Sequence, residues 1–211
     1  MVIDQDHGHG ARAWRHGPFH AQHHILLSGS CASPPSSLSV RHSRSEHLCH
    51  MCLRPSEAIQ ITRNEVLLAE AVEVPAVASG CKLSGGLWKS YYDGQEVNDP
   101  AKLDIDHMVP LAEAWDSGAA EWTAARREAY ANDQEAAISL VAVTARSNRA
   151  KADRDPAEWM PPLPEAHCRY VGEWTATKLR WGLAADQAEA DALKVYAEAC
   201  ETTVVHYTPA P

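Results

Sequence analysis

The sequence of 211 residues predicts an α+β domain, because two short strands are followed by a helix in one part of the chain. Residues 103–109 place apolar side chains at alternate positions and stop at Pro110, which is typical of a short strand. The run Ser139–Thr144 has enough β-branched residues to predict a second strand. Ser147–Asp153 then predicts a helical turn, which the Asp155–Pro156 step ends or restarts. If these elements pack together, the end of the first strand meets the first turn of the helix.

Further helices and a hairpin are predicted around this unit. Residues 87–92 turn at Asp93–Gly94 into residues 95–97, a pattern that favours a β-hairpin. Helices are predicted in five other stretches: 62–73, 110–115, 120–131, 165–181 and 185–200. The predicted fold is therefore a strand–strand–helix core with additional helices.

The N-terminal segment, residues 1–60, differs in composition from the rest of the chain. It contains nine of the 12 histidines and mixes His, Arg, Ser and Pro with little apolar periodicity. Segments of this composition bury too little apolar surface to fold, so we expect residues 1–60 to be disordered. A chain of this length is expected to have a single core. We place that core in one domain, residues 61–205.

Three side chains of the predicted core are suited to binding a cation. Asp106 offers a hard oxygen ligand, and His107 beside it is a neutral base. The carbonyl of Asn148 would complete the site without adding charge. An Asp-His pair alone is more often a hydrogen-bonded surface pair. The second motif, Asn148 to Lys151, is therefore what favours a metal site.

Both motifs resemble those of the HNH endonucleases, a family with a ββα-metal (His-Me finger) fold. Asp104-Ile-Asp-His-Met-Val-Pro110 is similar to the Asp-Val-Asp-His-Ile-Val-Pro segment in the HNH domain of CRISPR effector nucleases. Asn148-Arg-Ala-Lys151 resembles the Asn-Arg-Gly-Lys of the same domain. Two motifs in the same order make a more specific match than either one alone.

The flanking sequence is similar to a secreted bacterial branch of this family, and the similarity covers Thr62 to Cys200. It is carried by Thr62-Arg-Asn-Glu-Val-Leu67, Asp106 to Gly118, Ala157-Glu-Trp-Met-Pro-Pro162, Cys168-Arg-Tyr and Glu173-Trp-Thr.

The resemblance implies a role for each motif residue. Asp106 and Asn148 are expected to ligate the metal, and His107 is expected to be the general base. A histidine with an ordinary pKa of about 6.5 is neutral at physiological pH and accepts a proton from water. Flanking phosphates are expected to be held by three cations: Arg146, Arg149 and Lys151.

Two positions near the motifs depart from the pattern or have an open role. The middle Asn of the family is replaced by Ser139, nine residues before Asn148. The resemblance implies that this Asn orients the loop and the base, so the replacement bears on geometry and rate more than on reaction type. Asp104 is either a carboxylate that orients the site or a solvated acid at the strand end.

Two tyrosines of the predicted hairpin are also candidates for a site. Tyr91 and Tyr92 have the rings that nucleobases stack on. Aromatic residues of a hairpin more often pack on the core, and we expect that here.

The charge of the chain bears on its substrate. Residues 61–211 carry 14 basic and 24 acidic side chains, a net charge of −10 without a general basic footprint. Binding of nucleic acid would then depend on local cations and a metal, which predicts weak, salt-sensitive binding with little sequence specificity. The resemblance implies DNA rather than RNA as the main substrate. It also implies one divalent cation, Mg²⁺ first, with Mn²⁺, Ni²⁺ or Zn²⁺ as alternatives.

The cysteines bear on the compartment. Cys168 and Cys200 bracket the last two predicted helices, and the resemblance implies export and a disulfide between them. The alternative is two buried thiols in a cytosolic protein. The branch usually has a Cys where this chain has Gln60, and the resemblance implies that this Cys pairs with the one matching Cys81. Cys81 is therefore expected to be left unpaired. No family feature is recognised upstream, and residues 1–60 are interpreted as a misassigned start, a frameshifted reading or a divergent extension.

The N-terminal segment offers little else that predicts a function. Residues 25–27 are too short an apolar run for a secretory signal, and no stretch of the chain is long enough to span a membrane. Four crowded residues have the chemistry of zinc ligands, but their spacing does not fit a zinc finger: His47, Cys49, His50 and Cys52.

The sequence leaves three functions open. The first is a metal-dependent endonuclease, favoured by Asp106, His107 and Asn148. The second is a catalytically degraded HNH scaffold acting as an extracellular binding or structural domain, favoured by Ser139 and the acidic surface. The third, a zinc hydrolase, lacks a dense set of ligands outside the N-terminal segment. No membrane or protein partner is implied, and a monomer is expected.

Overall fold

A computed structural model describes residues 2–5 and 58–211, and this part of the chain is an α+β arrangement, as predicted. Its α-helices are α1 (Ala58–Glu70), α2 (Leu111–Asp116), α3 (Ala124–Ala131), α4 (Ala145–Lys151), α5 (His167–Trp181) and α6 (Gln187–Glu198). Its strands are β1 (Val2–Gln5), β2 (Ala76–Val77), β3 (Leu83–Ser84), β4 (Trp88–Lys89), β5 (Glu96–Val97), β6 (Leu103–His107), β7 (Leu140–Thr144) and β8 (Val204–Tyr207). Short 3₁₀ turns occupy Ser79–Cys81, Pro100–Lys102, Ala119–Glu121 and Pro164–Ala166.

The strands form two-stranded sheets. β1 and β8 are parallel, whereas the pairs β2 with β3, β4 with β5 and β6 with β7 are antiparallel. The predicted hairpin is present as β4 and β5, and Gly94 in its turn has the positive φ of 69° that favours glycine. The predicted strand–strand–helix unit is formed by β6, β7 and α4, and α4 begins at the residue after β7.

Strand β7 is buried on both faces, which explains why its sequence is continuously apolar instead of alternating. Val141 and Val143 pack in the larger core with aromatic residues of α5, including Tyr170 and Trp174. The other face of β7 packs on α1 in a second core, which consists of Val66, Leu67, Leu83, Trp88, Val97, Leu103, Leu140 and Ala142. The β6–β7 strand pair is therefore held between α1 and α5.

Two parts of the N-terminal segment are described. β1 pairs with β8, with Val2 opposite Val204, and α1 begins at Ala58. β1 departs from the expectation that residues 1–60 are disordered, because β8 supplies backbone partners that composition does not reveal. α1 begins before residue 60, the expected end of that segment. The four candidate zinc ligands lie outside the described residues: His47, Cys49, His50 and Cys52.

Three cysteines of the described residues are disulfide-bonded: Cys81, Cys168 and Cys200. Cys168 and Cys200 are bonded, with their Cα atoms 5.4 Å apart, which confirms the predicted pairing across α5 and α6. Cys81 is disulfide-bonded as well, so the expectation of an unpaired Cys81 is wrong. That expectation considered only position 60, whereas the chain has further cysteines at positions 31, 49 and 52. Across the described residues, no helix combines the length and apolar character needed to cross a bilayer.

Glu70, the last residue of α1, binds the edge of β7 that faces away from β6. Its Oε2 accepts a hydrogen bond from the Ala142 amide at 3.0 Å. Burial raises the pKa of Glu70 from 4.5 to about 7, against the opposing effects of this hydrogen bond and of Arg169. Between these two pH values, Glu70 keeps its proton in the folded protein and has lost it in the unfolded chain. The free energy of unfolding therefore decreases as the pH rises from 4.5 to about 7.

Glu70→Gln removes this titration and keeps an oxygen that accepts from Ala142. We expect the decrease in unfolding free energy between about pH 5 and about pH 7.5 to be smaller in the variant than in the wild type. Urea unfolding at the two pH values measures it. The exposed Glu201→Gln is the control and should keep the wild-type dependence. Equal pH dependence in Glu70→Gln and wild type would contradict the assignment.

Candidate active site

Asp106, near the end of β6, is held by two donors on one of its oxygens. The residue is 5% exposed, and Oδ2 accepts from the Tyr92 hydroxyl at 2.7 Å and from the Lys151 ammonium at 2.5 Å. Within the described residues all side-chain contacts of Asp106 use Oδ2, so Oδ1 is left as a free oxygen. Burial raises the pKa of Asp106, and the Lys151 charge and the Tyr92 hydroxyl oppose that shift.

The two tyrosines before this site pack on the core, as predicted. Tyr92 is fully buried, with its ring edge-on to Trp159 and Tyr170. Tyr91 is half-buried, and its hydroxyl donates to Glu173 Oε2 at 2.8 Å. Neither ring is free to stack on a base.

His107, the last residue of β6, has its two ring nitrogens in different surroundings. Nε2 lies 3.0 Å from the carbonyl oxygen of Ala131, at the end of α3. Because a carbonyl oxygen only accepts, Nε2 carries the hydrogen, and the lone pair of the neutral ring is on Nδ1. Burial lowers the pKa of His107, against the opposing effects of the Ala131 contact and Asp106, which favours this neutral form.

Ser139, in the place of the family's middle Asn, anchors the loop that follows Ala131. Its hydroxyl donates to Asp133 Oδ2 at 2.7 Å, and its carbonyl accepts from the Met108 amide at 3.0 Å. Asp133 also binds Arg180 through both of its oxygens, at 2.8 and 2.9 Å. This buried network fixes the chain two residues after Ala131, and so fixes the carbonyl that orients His107.

Asn148 faces the same strand from α4. Its Nδ2 donates to Asp104 Oδ2 at 3.2 Å, and Asp104 is two residues before Asp106 on β6. This contact favours the orienting role for Asp104 over that of a solvated acid. Among the described residues, the side-chain oxygen of Asn148 makes no hydrogen bond, so it remains available as a ligand.

The start of α4 is fixed from the β4–β5 turn. Asp93 Oδ2 accepts from the hydroxyls of Thr144 at 2.5 Å and Ser147 at 2.8 Å. The Thr144 hydroxyl in turn caps α4 by accepting from the Ser147 amide. The turn therefore sets the position from which Asn148 is presented.

The three predicted phosphate-binding cations differ in their surroundings. Arg146 and Arg149 are exposed on α4, as a phosphate contact requires. Lys151 is 0% exposed, and its ammonium bonds to Asp106 and to the carbonyl oxygens of His107 and Met108. A buried ammonium with all three hydrogens in use is not accessible to a phosphate, so these surroundings favour a role within the protein for Lys151 over the predicted phosphate contact.

Comparison with known proteins identifies the family. A family model described as the C-terminal domain of GmrSD restriction endonucleases matches residues 70–194, more than half of the chain. The chain belongs to this family. An Arthroderma benhamiae protein named "Uncharacterized secreted protein" is 40% identical over 139 residues, which are 66% of this chain and 67% of the relative. No solved structure matches the chain.

The GmrSD C-terminal-domain match confirms the resemblance to an endonuclease family that the two motifs carry. It spans Asp106, His107 and Asn148, and also the anchoring residues Asp133 and Arg180.

The donor set of this GmrSD-family site fits a hard cation that keeps several waters. Among the described residues, Asp106 Oδ1 and the Asn148 side-chain oxygen make no hydrogen bond, and Asp106 directly precedes His107 on β6. In residues 2–5 and 58–211, no three His, Cys, Asp or Glu side chains are grouped closely enough to hold a metal. Mg²⁺ is commonly bound through one or two carboxylates together with water and substrate phosphates, so a small oxygen set suits it better than Zn²⁺.

Several residues that build this site carry no motif in the sequence. Tyr92 appears only as one aromatic residue of a hairpin, although its hydroxyl binds Asp106. Asp133 and Arg180 are 47 residues apart, and no local pattern links them. Trp181, whose Nε1 donates to Asp133, reads as an ordinary core residue.

Replacing Asp133 tests the anchor of the loop that follows Ala131, the residue whose carbonyl binds His107. Asp133→Asn leaves the Arg180 guanidinium buried without its counter-charge, and we expect a loss of about 3–5 kcal/mol in the free energy of unfolding. Urea unfolding measures it. The matched control is Glu135→Gln, because Glu135 binds the same Arg180 from an 80% exposed position and should contribute less than about 1 kcal/mol. Equal effects of the two substitutions would contradict an anchoring role for Asp133.

Proposed function

We propose that the protein is a metal-dependent endonuclease that hydrolyses phosphodiester bonds of nucleic acid, with DNA as its main substrate. The observation that carries this proposal is that His107 has a free Nδ1 lone pair and directly follows Asp106, whose Oδ1 is free, while α4 presents Asn148 to the same strand through its bond to Asp104. In this proposal β6, β7 and α4 form a ββα-metal core of the HNH type. Membership of a restriction-endonuclease family supports it.

His107 is the general base of the proposed reaction. Its neutral ring accepts a proton from water at Nδ1 while Nε2–H stays bonded to the Ala131 carbonyl. The resulting hydroxide attacks phosphorus as the bond to the 3′ oxygen breaks, and the 3′ alkoxide takes a proton from water. The Ala131 contact also stabilises the imidazolium that forms, because a carbonyl oxygen accepts more strongly from a charged donor.

Asp106 and Asn148 are the residues that would hold the cation, with Mg²⁺ preferred. A bound divalent cation stabilises negative charge on the phosphoryl oxygens and on the leaving 3′ oxygen. Lys151 and Tyr92 fix the orientation of the Asp106 carboxylate by hydrogen bonds to its Oδ2. Asp104 fixes the orientation of the Asn148 amide by a hydrogen bond from its Nδ2. Both ligands are thus oriented by neighbours within the protein.

Substrate contacts are few in this proposal. Arg146 and Arg149 are the exposed cations on the helix that carries Asn148. The domain has a net charge of −10, so electrostatic attraction of DNA is local and falls with salt. Little sequence specificity is expected, because phosphate contacts position a strand without reading its bases.

A second candidate function is a catalytically degraded scaffold that binds an extracellular partner. The acidic surface favours it. The replacement of the middle Asn favours it less, because Ser139 anchors the loop through Asp133.

We also propose that the protein acts outside the cell as a monomer. The Arthroderma benhamiae relative is named as a secreted protein, and the Cys168–Cys200 disulfide suits an oxidising compartment.

Cleavage of a supercoiled plasmid tests the proposed activity. We expect the full chain to nick the plasmid with Mg²⁺ or Mn²⁺ and to be inactive in EDTA. His107→Ala should reduce the rate by at least about 100-fold, because it removes the base. Asp106→Asn should raise the metal concentration needed for half-maximal activity, because it removes the charged ligand. His206→Ala, at an exposed histidine on β8, is the matched control and should keep full activity. A folded wild type that cleaves no nucleic acid with any divalent metal would favour the scaffold.

A further inference from the structure

Lys151 is fully enclosed, which is unusual for a lysine. Its ammonium lies 5.8–5.9 Å from the ring centroids of Tyr92, Tyr170 and Trp174. Removal of an ammonium ion from water is costly unless it is paired and hydrogen-bonded. The fold meets that requirement here, which indicates a specific use for the charge.

One ammonium group binds three consecutive residues at the end of β6. It donates to Asp106 Oδ2 at 2.5 Å, to the His107 carbonyl at 2.7 Å and to the Met108 carbonyl at 2.9 Å. A lysine has three N–H donors, and all of them are in use. The side chain of the metal-ligand candidate and the backbone of the base are therefore held by the same group.

Lys151 also connects two elements that must be in register for the site to exist. It is three residues after Asn148 on α4, so the two side chains leave neighbouring parts of the helix surface. Its bonds to Asp106 and His107 fix α4 against β6. The separation of Asn148 from Asp106 then depends on this tether.

We propose that Lys151 is a positioning residue of the active site. It holds Asp106 by Oδ2 so that Oδ1 faces the cation, keeps the His107 backbone in place and sets the distance to Asn148. It does not contact substrate. This role rests on the proposed nuclease function, because it is defined by the ligands and the base of that reaction.

The positioning role and a phosphate-binding role predict different measurements. A lysine that contacts a phosphate contributes about one unit to the salt slope of DNA binding, and its loss raises KM. Loss of a residue that orients a metal ligand by a hydrogen bond lowers activity by about 10- to 100-fold and leaves the contacts with DNA unchanged. The two roles are thus separated by binding without metal and by the division between kcat and KM.

The test compares three neutralised cations: Lys151→Met, Arg149→Met and Lys194→Met. Lys151→Met keeps the length of the side chain and removes its charge. Arg149→Met neutralises an exposed cation two residues away on the same helix, and Lys194→Met neutralises one on α6. Each is assayed for binding to a fluorescein-labelled duplex in EDTA over a range of NaCl concentrations, and for plasmid cleavage kinetics with Mg²⁺. Circular dichroism shows the temperature range in which each variant is folded.

We expect Lys151→Met to lower kcat by about 10- to 100-fold, with KM and the salt slope as in the wild type. Arg149→Met should lower the salt slope by about one unit. Lys194→Met should change neither kcat nor the salt slope. A Lys151→Met variant that lowers the salt slope as Arg149→Met does would overturn the proposal in favour of a phosphate contact. A folded Lys151→Met with a kcat within about twofold of the wild type would overturn it as well.

Tyr92→Phe provides an independent variant in case Lys151→Met does not fold. It removes the other donor to Asp106 Oδ2 and leaves the ion pair in place. We expect kcat to fall by about fivefold with an unchanged salt slope. An unchanged kcat in Tyr92→Phe would overturn the proposal that hydrogen bonds to Oδ2 orient Asp106 for the reaction. Wild type assayed in parallel separates the two proposals, because an inactive wild type overturns the nuclease function, whereas active variants overturn only the role of Lys151.

Discussion

The buried pair of Lys151 and Asp106 is the interaction on which the geometry of the candidate site depends. Two charges taken out of water are stable together only when further hydrogen bonds complete their shells. Here the ammonium also binds two carbonyl oxygens of β6, and the carboxylate also accepts from Tyr92. Loss of either partner leaves an uncompensated charge in the core, so the pair specifies one arrangement of α4 against β6.

The remaining elements each hold one side of that pair or of its neighbours. The β4–β5 hairpin contributes Tyr92 and the turn that fixes the start of α4. α5 contributes two aromatic rings around Lys151, and the last residue of α3 contributes the carbonyl that orients His107. Such large rings remove water from the pair, and water would otherwise weaken it. The candidate base and the two candidate oxygen ligands are thus held from within the protein, in a domain whose net charge of −10 does little to attract nucleic acid.

Much of the fold follows from the sequence, and the departures have physical causes. Strand and helix periodicity predicts β6, β7 and α4, because these elements are short, contiguous and bounded by clear breaks. The burial of Lys151 does not follow from the sequence, because lysine is a surface residue in most proteins and no local pattern shows that its position on α4 faces inward. The Asp133–Arg180 anchor and the pairing of β1 with β8 join distant parts of the chain, which periodicity does not detect. The paired state of Cys81 does not follow from Gln60, because the chain offers other cysteines as partners.

The most direct test of the account is a crystal structure of the full chain soaked in Mn²⁺, with the metal located by its anomalous signal. The account predicts one ion bound by Asp106 Oδ1 and the Asn148 side-chain oxygen, with Lys151 still on Asp106 Oδ2 and His107 Nδ1 facing a water. The remaining ligands should be water. An ion bound elsewhere, or one that displaces Lys151 from Asp106, would contradict it.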